Sequence, residues 1–348
     1  MRQRRIIAGC GHRASGRSGG FKLCVVMVIL SLLSFLTPAI FLPDQKKTDE
    51  ARNLLDRGEF SQAKGALERM ARTDQTTEWH FLLGKAYYVW GDFDKAADLF
   101  ERAIKTRADR SEYFLWWGRA LGRKAERAVF LKAPFLARKT RDAFQRAVEL
   151  DSNNLDARDD LLSFYLEAPG FLGGGKDKAL ALVEQIKSSH PCEFHIQLAT
   201  IYQKEKSFDR AEEELQKTIA AQPTCLGSYR ALAELFESRT RMSAARETLE
   251  KAVRLFPQSP VAHFALGRFE IEAGGNLGMG RQELELFLTS YVSGEPYPFE
   301  AHYWLGEMFL KLNQPRKAQE EFQRALTALP IHGPSLKGMA EARRLQGS

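Results

Sequence analysis

A spacing of 34 residues recurs along this 348-residue chain and constrains its fold more than any other feature. Small and large apolar residues hold fixed positions from Thr77 to Arg110, and segments starting at Cys192, Leu226 and Phe299 repeat them. Apolar residues at i, i+3, i+4 and i+7 give each helix of such a unit one buried stripe. One helix pair cannot bury its stripe alone, so the spacing predicts a stack of helix pairs.

The positions of the small residues identify the kind of stack. Counted from Thr77, Gly84 and Ala96 lie where two helices would touch, Phe100 lies where a large side chain would pack, and Pro330 ends the unit that starts at Phe299. This pattern resembles the tetratricopeptide repeat. The resemblance implies an all-α, right-handed helical solenoid whose concave face binds other proteins.

The same spacing divides the chain into eight repeats and a final helix. We expect the repeats at residues 44–76, 77–110, 111–154, 155–191, 192–225, 226–259, 260–298 and 299–332, followed by a capping helix within 333–348. The final helix, predicted from Ser335 to Leu345, would cover the open apolar edge of the last repeat.

Two neighbouring repeats carry insertions. The second helix of the third repeat arrives ten residues late, after the GRKAE element at 122–126, and the fourth repeat contains APGFLGGGKDKA at 168–179. Over roughly residues 111–190 these insertions resemble a group of membrane-anchored bacterial tetratricopeptide proteins with GRKAE and APGxxGGGxDKA elements. That resemblance implies no catalytic residue.

The N-terminal segment predicts a membrane anchor. Residues 1–22 form a basic tail, and residues 23–42 are twenty uncharged, mostly apolar residues, enough to span a hydrocarbon layer of ~30 Å as a helix. The excess of cations before the span predicts a cytoplasmic N-terminus and extracytoplasmic repeats, so we expect a single-pass protein of a bacterial inner membrane facing the periplasm. Cleavage near Ala39, which would release a secreted soluble protein, is the alternative.

The formal charge of +7 does not indicate a nucleic-acid partner. The first 42 residues hold six of the chain's 51 basic residues and none of its 44 acidic residues, so the repeats are close to neutral. We found no block of cations in the repeats that would neutralise a row of phosphates, and we expect no nucleic-acid binding.

Motifs that would indicate an enzyme or a cofactor are weak. The run from Gly170 to Lys176 fits the start of a phosphate-binding loop, but Asp177 replaces the required Ser or Thr, and a helix, not a strand, is predicted before it. Asp159 and Asp160 are interpreted as residues near the start of a helix, where the helix dipole stabilises negative charge. We therefore predict no catalytic residue, no cofactor and no enzyme activity.

Histidine and cysteine residues cluster without a metal-binding spacing. His190, Cys192 and His195 have no second ligand pair, so we expect no metal site. Cys192 and Cys225 lie one repeat apart, at neighbouring inter-repeat turns. Such turns are usually farther apart than the ~7 Å Cα limit for a disulfide, which favours two free thiols over a bridge.

The first helices of the repeats should line the concave groove. Positions 2, 5, 9, 12 and 13 of each repeat would point into it, and they combine aromatic and charged residues suited to an extended peptide or a partner helix. The candidate groove residues are Phe81, Lys85, Tyr88, Leu115, Arg119, Arg123, Asp159, Ser163, Arg230, Phe264, Arg268 and Tyr303.

These patterns together predict a membrane-tethered scaffold that binds an envelope protein through the groove. Self-association of the scaffold is a further hypothesis. Two other hypotheses remain open: the soluble secreted form, and an enzyme or a carbohydrate or lipid binder with a pocket at the insertions of residues 122–179.

Overall fold

The structure, a computed structural model, describes residues 43–70, 76–129 and 131–347. The predicted basic tail and membrane span lie outside these residues. Within the described part, Lys47–Ser348 forms one compact unit made of helices, with no strand. Among the described residues no helix is both long and apolar enough to cross a bilayer.

Helices follow one another in pairs joined by short turns, as the 34-residue spacing predicts. The α-helices are α1 (Pro43–Asp56), α2 (Phe60–Met70), α3 (Thr77–Val89), α4 (Phe93–Thr106), α5 (Ser111–Arg127), α6 (Ala133–Leu150), α7 (Leu155–Glu167), α8 (Lys176–Glu184), α9 (Pro191–Lys204), α10 (Phe208–Ala221), α11 (Leu226–Ser238), α12 (Met242–Leu255), α13 (Pro260–Glu272), α14 (Leu277–Ser290), α15 (Pro298–Lys311), α16 (Pro315–Ala328) and α17 (Gly333–Gly347). The expectation of an all-α solenoid is confirmed.

The second repeat shows how local sequence produces one pair. The Thr76 side chain accepts a hydrogen bond from the Trp79 backbone N–H at 3.1 Å and so caps α3. Asp92 caps α4 in the same way by accepting from the Lys95 backbone N–H at 3.2 Å. The helices then approach closely at Gly84, where an added Cβ would lie 2.7 Å from the Phe100 ring. The glycine is therefore required for this packing.

The first insertion lengthens both helices of the third repeat instead of forming a separate unit. Helices α5 and α6 contain 17 and 18 residues, against 13 and 14 in the second repeat. We call residues 122–141, which join the ends of these two helices, the basic hairpin; Phe130 within it lies outside the described residues.

The second insertion forms a glycine turn before a helix. A 3-10 turn at Gly170–Leu172 leads to Gly173 with φ of +99°, and the Gly175 backbone N–H donates to the Tyr165 carbonyl at 2.8 Å. Helix α7 precedes the turn, whereas a phosphate-binding loop follows a strand. Lys178 Nζ donates to the Gly173 carbonyl at 2.9 Å, which ties the turn to α8.

The C-terminal helix covers the last pair. An added Cβ at Gly338 of α17 would lie 2.3 Å from the Phe322 ring, so the glycine brings α17 into close contact with α16. Met339 and Ala342 are buried in the same apolar cluster. The helix begins two residues earlier and ends two residues later than predicted.

The end of the seventh repeat and the last repeat pack against the first repeat. The Gly294 backbone N–H donates to the Asp56 carbonyl at 2.9 Å, and the Tyr291 hydroxyl lies 2.9 Å from the same oxygen. The Tyr297 ring meets the Phe60 ring edge-on at 5.0 Å. Gly58, with φ of +73°, leaves room for this contact, because its Cβ would lie 2.7 Å from Tyr297 Cδ1. We call this set of contacts the closing contact.

The closing contact belongs to the apolar core. Phe299, Ala325 and Leu329 of the last repeat share one buried cluster with Phe60, Leu67 and other residues of the first three repeats. The array therefore returns on itself and encloses its concave face. The 34-residue spacing did not predict this closure.

The prediction of two free thiols was wrong. Cys192 and Cys225 form a disulfide across a Cα–Cα distance of 6.2 Å, which is within the bridging range. Cys192 lies at the start of α9, and Cys225 is the residue just before α11, so neighbouring first helices bring the two residues closer than the sequence argument assumed. The bridge joins the first and last residues of the fifth repeat, and so ties the N-terminal ends of α9 and α11 together.

Candidate functional site

The concave face contains two cavities that share one residue. The first, of about 750 Å³, is lined by residues of repeats one to four and by the segment 294–297. The second, of about 320 Å³, is lined by residues of repeats six to eight. Glu295, in the segment between α14 and α15, lines both cavities. The segment that forms the closing contact therefore also lies in the groove.

An aromatic and basic group forms one wall of the first cavity. Tyr88 and Trp116 meet edge-on at 5.4 Å, and the Arg119 guanidinium lies 5.0 Å from the Trp116 ring centroid. Lys85 Nζ lies 4.8 Å from that ring as well. Cations above an aromatic face are attracted by its quadrupole. Lys85 Nζ also lies 3.7 Å from Glu112 Oε1 and Arg119 pairs with Asp160, so the wall presents ion-paired charges beside a flat apolar surface.

Carboxylates face this wall from α7 and α9. Arg119 Nε donates to Asp160 Oδ2 at 2.5 Å, and Gln197 Nε2 donates to Asp159 Oδ1 at 2.6 Å. Burial raises the pKa of Asp159 to about 6 and, with repulsion from Asp159, raises the pKa of Glu193 to about 7. These are ordinary helix-start residues by sequence, but the fold brings them together as a crowded acidic group.

The raised pKa values predict a pH-dependent stability. For an acid with a raised folded-state pKa, the folded state binds more protons than the unfolded state, so stability falls as pH rises through that range. We expect Glu193→Gln to stabilise the protein by about 1 kcal/mol at pH 8, because solvent screens a partly exposed carboxylate. The stabilisation should shrink as pH falls from about 7 towards 4.5.

Thermal melts of both proteins between pH 4.5 and 8 test this expectation. Glu213→Gln is the matched control, because Glu213 is exposed and its pKa is lowered by Lys217. It should not stabilise the protein at pH 8. Equal melting temperatures for wild type and Glu193→Gln across this pH range would contradict a raised pKa of Glu193 in the folded protein.

The second cavity is lined by opposed charges and one aromatic ring. Arg268 Nη2 donates to both oxygens of Glu237, at 3.0 and 3.1 Å, and Phe264 lies beside them. Burial raises the pKa of Glu237 and of Glu300. Arg230 reaches only Glu234, at 4.0 Å, and its side chain is 46% exposed. Arg230 is therefore available to a ligand, whereas Arg268 is held by its carboxylate partners.

The predicted groove residues lie in different parts of the structure. Lys85, Tyr88 and Arg119 line the first cavity, and Arg230, Phe264 and Arg268 line the second. Asp159 lies on α7 among the carboxylates described above, Arg123 pairs with Glu126 at 2.7 Å in the basic hairpin, and Ser163 is exposed. Tyr303 is half-buried against Phe322 and His332.

The structure corrects two of the predicted groove residues. Phe81 is fully buried, 4.6 Å from the Tyr113 ring, because the first helix of the next repeat packs over it. Leu115 is 2% exposed and belongs to the core cluster of the third to fifth repeats, although its edge reaches the first cavity. Both residues stabilise the stack, and neither presents a free side chain to a partner.

The cluster around His190 has structural contacts. Cys192 is in the disulfide, His195 Nδ1 lies 2.8 Å from Glu214 Oε2, and His190 Nδ1 lies 3.0 Å from Ser189 Oγ. Within the described residues, no group of three His, Cys, Asp or Glu side chains is arranged to hold a metal ion.

A third cavity lies at the first insertion, within the segment 122–179 where the alternative hypothesis of an enzyme or a carbohydrate or lipid binder placed a pocket. It has a volume of about 810 Å³ and lies between the turn of the second repeat, at Trp90 to Asp94, and the basic hairpin. Its lining cations Lys124, Arg127 and Lys132 were not predicted from the sequence. The signal was present in the sequence: seven of the chain's Lys and Arg residues and one Glu occur in residues 122–141. The overall charge balance concealed this local excess of cations.

Comparisons with known proteins agree with the repeat assignment. Sequence profiles described as the tetratricopeptide repeat match residues 48–112, 196–260 and 299–330. No curated protein matches.

Several solved structures resemble the fold. The C-terminal part of a tetratricopeptide protein from Cytophaga hutchinsonii is 17% identical, over 84% of this chain and 99% of that one, with a TM-score of 0.40. The human IFIT1 dimer with PPP-AAAA is 17% identical, over 85% and 72%, with a TM-score of 0.45. A tetratricopeptide repeat protein from Parabacteroides merdae is 13% identical, over 78% and 100%, with a TM-score of 0.43.

The class of protein follows from the helix pairs and the matched segments together. The chain contains tetratricopeptide repeats, and its described residues form an all-α solenoid. The sequence matches support neither the GRKAE and APGxxGGGxDKA group nor any narrower family.

Proposed function

We propose that this protein is a membrane-tethered scaffold, without enzyme activity, that binds a peptide or helix of an envelope protein in its concave groove. The observation that supports the proposal most is the first cavity. Its wall of Tyr88, Trp116, Lys85 and Arg119 combines an apolar surface with charges, which is the combination that gives affinity and register to a bound peptide.

The proposed topology rests on two features. The predicted cytoplasmic tail is basic, and positive residues favour the cytoplasmic side of a span. The Cys192–Cys225 disulfide is of a kind that persists in oxidising compartments such as the periplasm. Tethering would confine scaffold and partner to one membrane surface and raise their effective concentration. A secreted soluble protein would also keep this disulfide, so the secreted form remains the alternative.

The closing contact limits how a partner reaches the groove. Because the last repeat packs on the first, a partner enters as an extended segment or binds after the closing contact opens. Tyr297 and Glu295 belong to the segment that lines the cavities, so the same residues that close the array would meet the partner.

Crosslinking in intact cells tests the scaffold. The tagged full chain is made in its own host, and proteins enriched with wild type are compared with those enriched with Arg230→Glu. Arg230 is suited to this comparison because its side chain is exposed in the second cavity. We avoid Arg119→Glu, because the new carboxylate would lie beside Asp160 and disturb the fold.

Arg254→Glu is the matched control, since Arg254 is an exposed residue on the second helix of the same repeat. We expect a dominant envelope protein with wild type and the control, and about a tenfold loss with Arg230→Glu, a typical cost of an interface residue. Equal enrichment by all three proteins would exclude the second cavity as a contact, and with it a partner that spans the whole groove. N-terminal sequencing of the mature protein separates the anchored form from the secreted form.

A further inference from the structure

The basic hairpin exposes large apolar side chains at the edge of the solenoid. Val129, Leu131 and Phe135 are 69%, 85% and 60% exposed. Another aromatic side chain, Phe171, is 72% exposed on the 3-10 turn, which Arg141 of α6 holds by donating to the Leu172 carbonyl at 3.1 Å. Soluble surfaces rarely group such residues unless they bind something. The insertion thus adds a surface that the repeat stack does not need.

The same hairpin carries cations that the described part of the chain leaves without carboxylate partners. Lys132 and Arg138 are exposed, the Lys139 ammonium lies 4.8 Å from the Phe135 ring, and Arg127 donates only to the Gly91 carbonyl, at 3.1 Å. By contrast, Arg241, Arg246 and Arg268 in later repeats all pair with glutamates. The hairpin therefore presents an uncompensated positive charge beside its apolar residues.

A cavity of about 810 Å³ lies at the base of this surface. Lys124, Arg127 and Lys132 line it together with Phe135 and the turn of the second repeat. Asp92 and Asp94 line it as well, and Lys124 Nζ pairs with Asp94 at 2.8 Å. The unpaired cations Lys132, Arg138 and Lys139 beside the exposed apolar side chains, and not the cavity, are therefore the part of the hairpin that suits an anionic, partly apolar surface.

We propose that the basic hairpin is a membrane-contact element, in which Val129, Leu131 and Phe135 enter a bilayer interface while the surrounding cations bind anionic phospholipids. Apolar side chains next to Lys and Arg are the combination that binds such interfaces, and each cation near an anionic surface strengthens binding. This inference does not depend on the proposed groove function.

Hydrogen exchange on the full chain tests the proposal. The protein is held by its N-terminal segment in phosphatidylcholine nanodiscs or in nanodiscs with about 30% phosphatidylglycerol, and each lipid is also supplied as free vesicles. We expect exchange of residues 131–136 to slow about tenfold with phosphatidylglycerol, in the nanodisc or in the added vesicles, and to stay unchanged with phosphatidylcholine alone.

Two pairs of variants separate charge from apolar insertion. Lys132→Glu/Arg138→Glu should abolish the protection, whereas Lys337→Glu/Arg343→Glu, on exposed positions of α17, should keep it. Leu131→Asp should also abolish it, whereas Leu255→Asp, at a position 47% exposed, should not. Unchanged melting temperatures confirm that each variant folds.

Three results would overturn the proposal: protection that is equal in neutral and anionic lipid, no protection in either, or protection that appears only when an envelope protein is added. None of them affects the crosslinking comparison of Arg230→Glu with Arg254→Glu, so failure here is distinguishable from failure of the scaffold.

Discussion

Removing the Cys192–Cys225 bridge with the double variant Cys192→Ala/Cys225→Ala is expected to lower the free energy of unfolding by about 3 to 4 kcal/mol. The two residues are 33 positions apart, and a cross-link of that span removes about this much loop-closure free energy from the unfolded chain. The loss should be largest for the fifth repeat, whose first and last residues the bridge joins, and for α11, which follows Cys225 directly. Denaturant unfolding followed by helical circular dichroism measures it.

Cys10→Ala/Cys24→Ala is the control, because it removes the two other cysteines of the chain and keeps the bridge. It should unfold at the wild-type denaturant concentration, and a reducing agent should convert it to the stability of the first variant. A reducing agent without effect on wild type would contradict the bridge. Mass spectrometry of unreduced peptides from cells then reports whether the repeats occupy an oxidising compartment, as we propose.

Replacing Tyr297 with alanine is expected to open the array. The Tyr297 ring packs on Phe60 at 5.0 Å and against Gly58, and truncating a half-buried aromatic side chain costs about 2 to 4 kcal/mol. The Tyr297 side chain acts mainly in the closing contact. We therefore expect the variant to have a larger radius of gyration and an unchanged helix content. Small-angle X-ray scattering and circular dichroism measure the two quantities.

Tyr202→Ala is the matched control, since Tyr202 is also half-buried but contacts Arg210 within its own repeat. Its radius of gyration should equal that of wild type. If Tyr297→Ala scatters like wild type, Phe299 and Leu329 hold the array closed without it. If it opens and then captures more of the crosslinked partner, closure restricts entry to the groove.

Local packing explains what the sequence predicted correctly. Gly84 against Phe100 is a contact between neighbouring helices, so a fixed spacing of residue types is enough to indicate it. The final helix was predicted for a similar reason, because the last helix pair leaves an apolar edge that the next helix in the chain can cover.

Features that depend on accumulated geometry were not predicted. Tyr291 contacts Asp56 across 235 residues, and that meeting depends on the curvature summed over all the intervening pairs. The 6.2 Å separation of Cys192 and Cys225 depends on the angle between two neighbouring repeats. The burial of Phe81 depends on Tyr113 of the next repeat. The sequence thus predicted which helices line the candidate groove, but it did not predict that the groove is closed by contact between the two ends of the array.

The closing contact has a consequence for how such a protein can change over evolution. An open array tolerates the gain or loss of a unit, because each unit meets only its neighbours and the ends are free. Here Tyr297 must arrive opposite Phe60 and Gly58. With one repeat more or fewer, Tyr297 would no longer lie opposite Phe60. The closing contact therefore fixes the number of repeats, and the length of the chain can vary only through insertions within them.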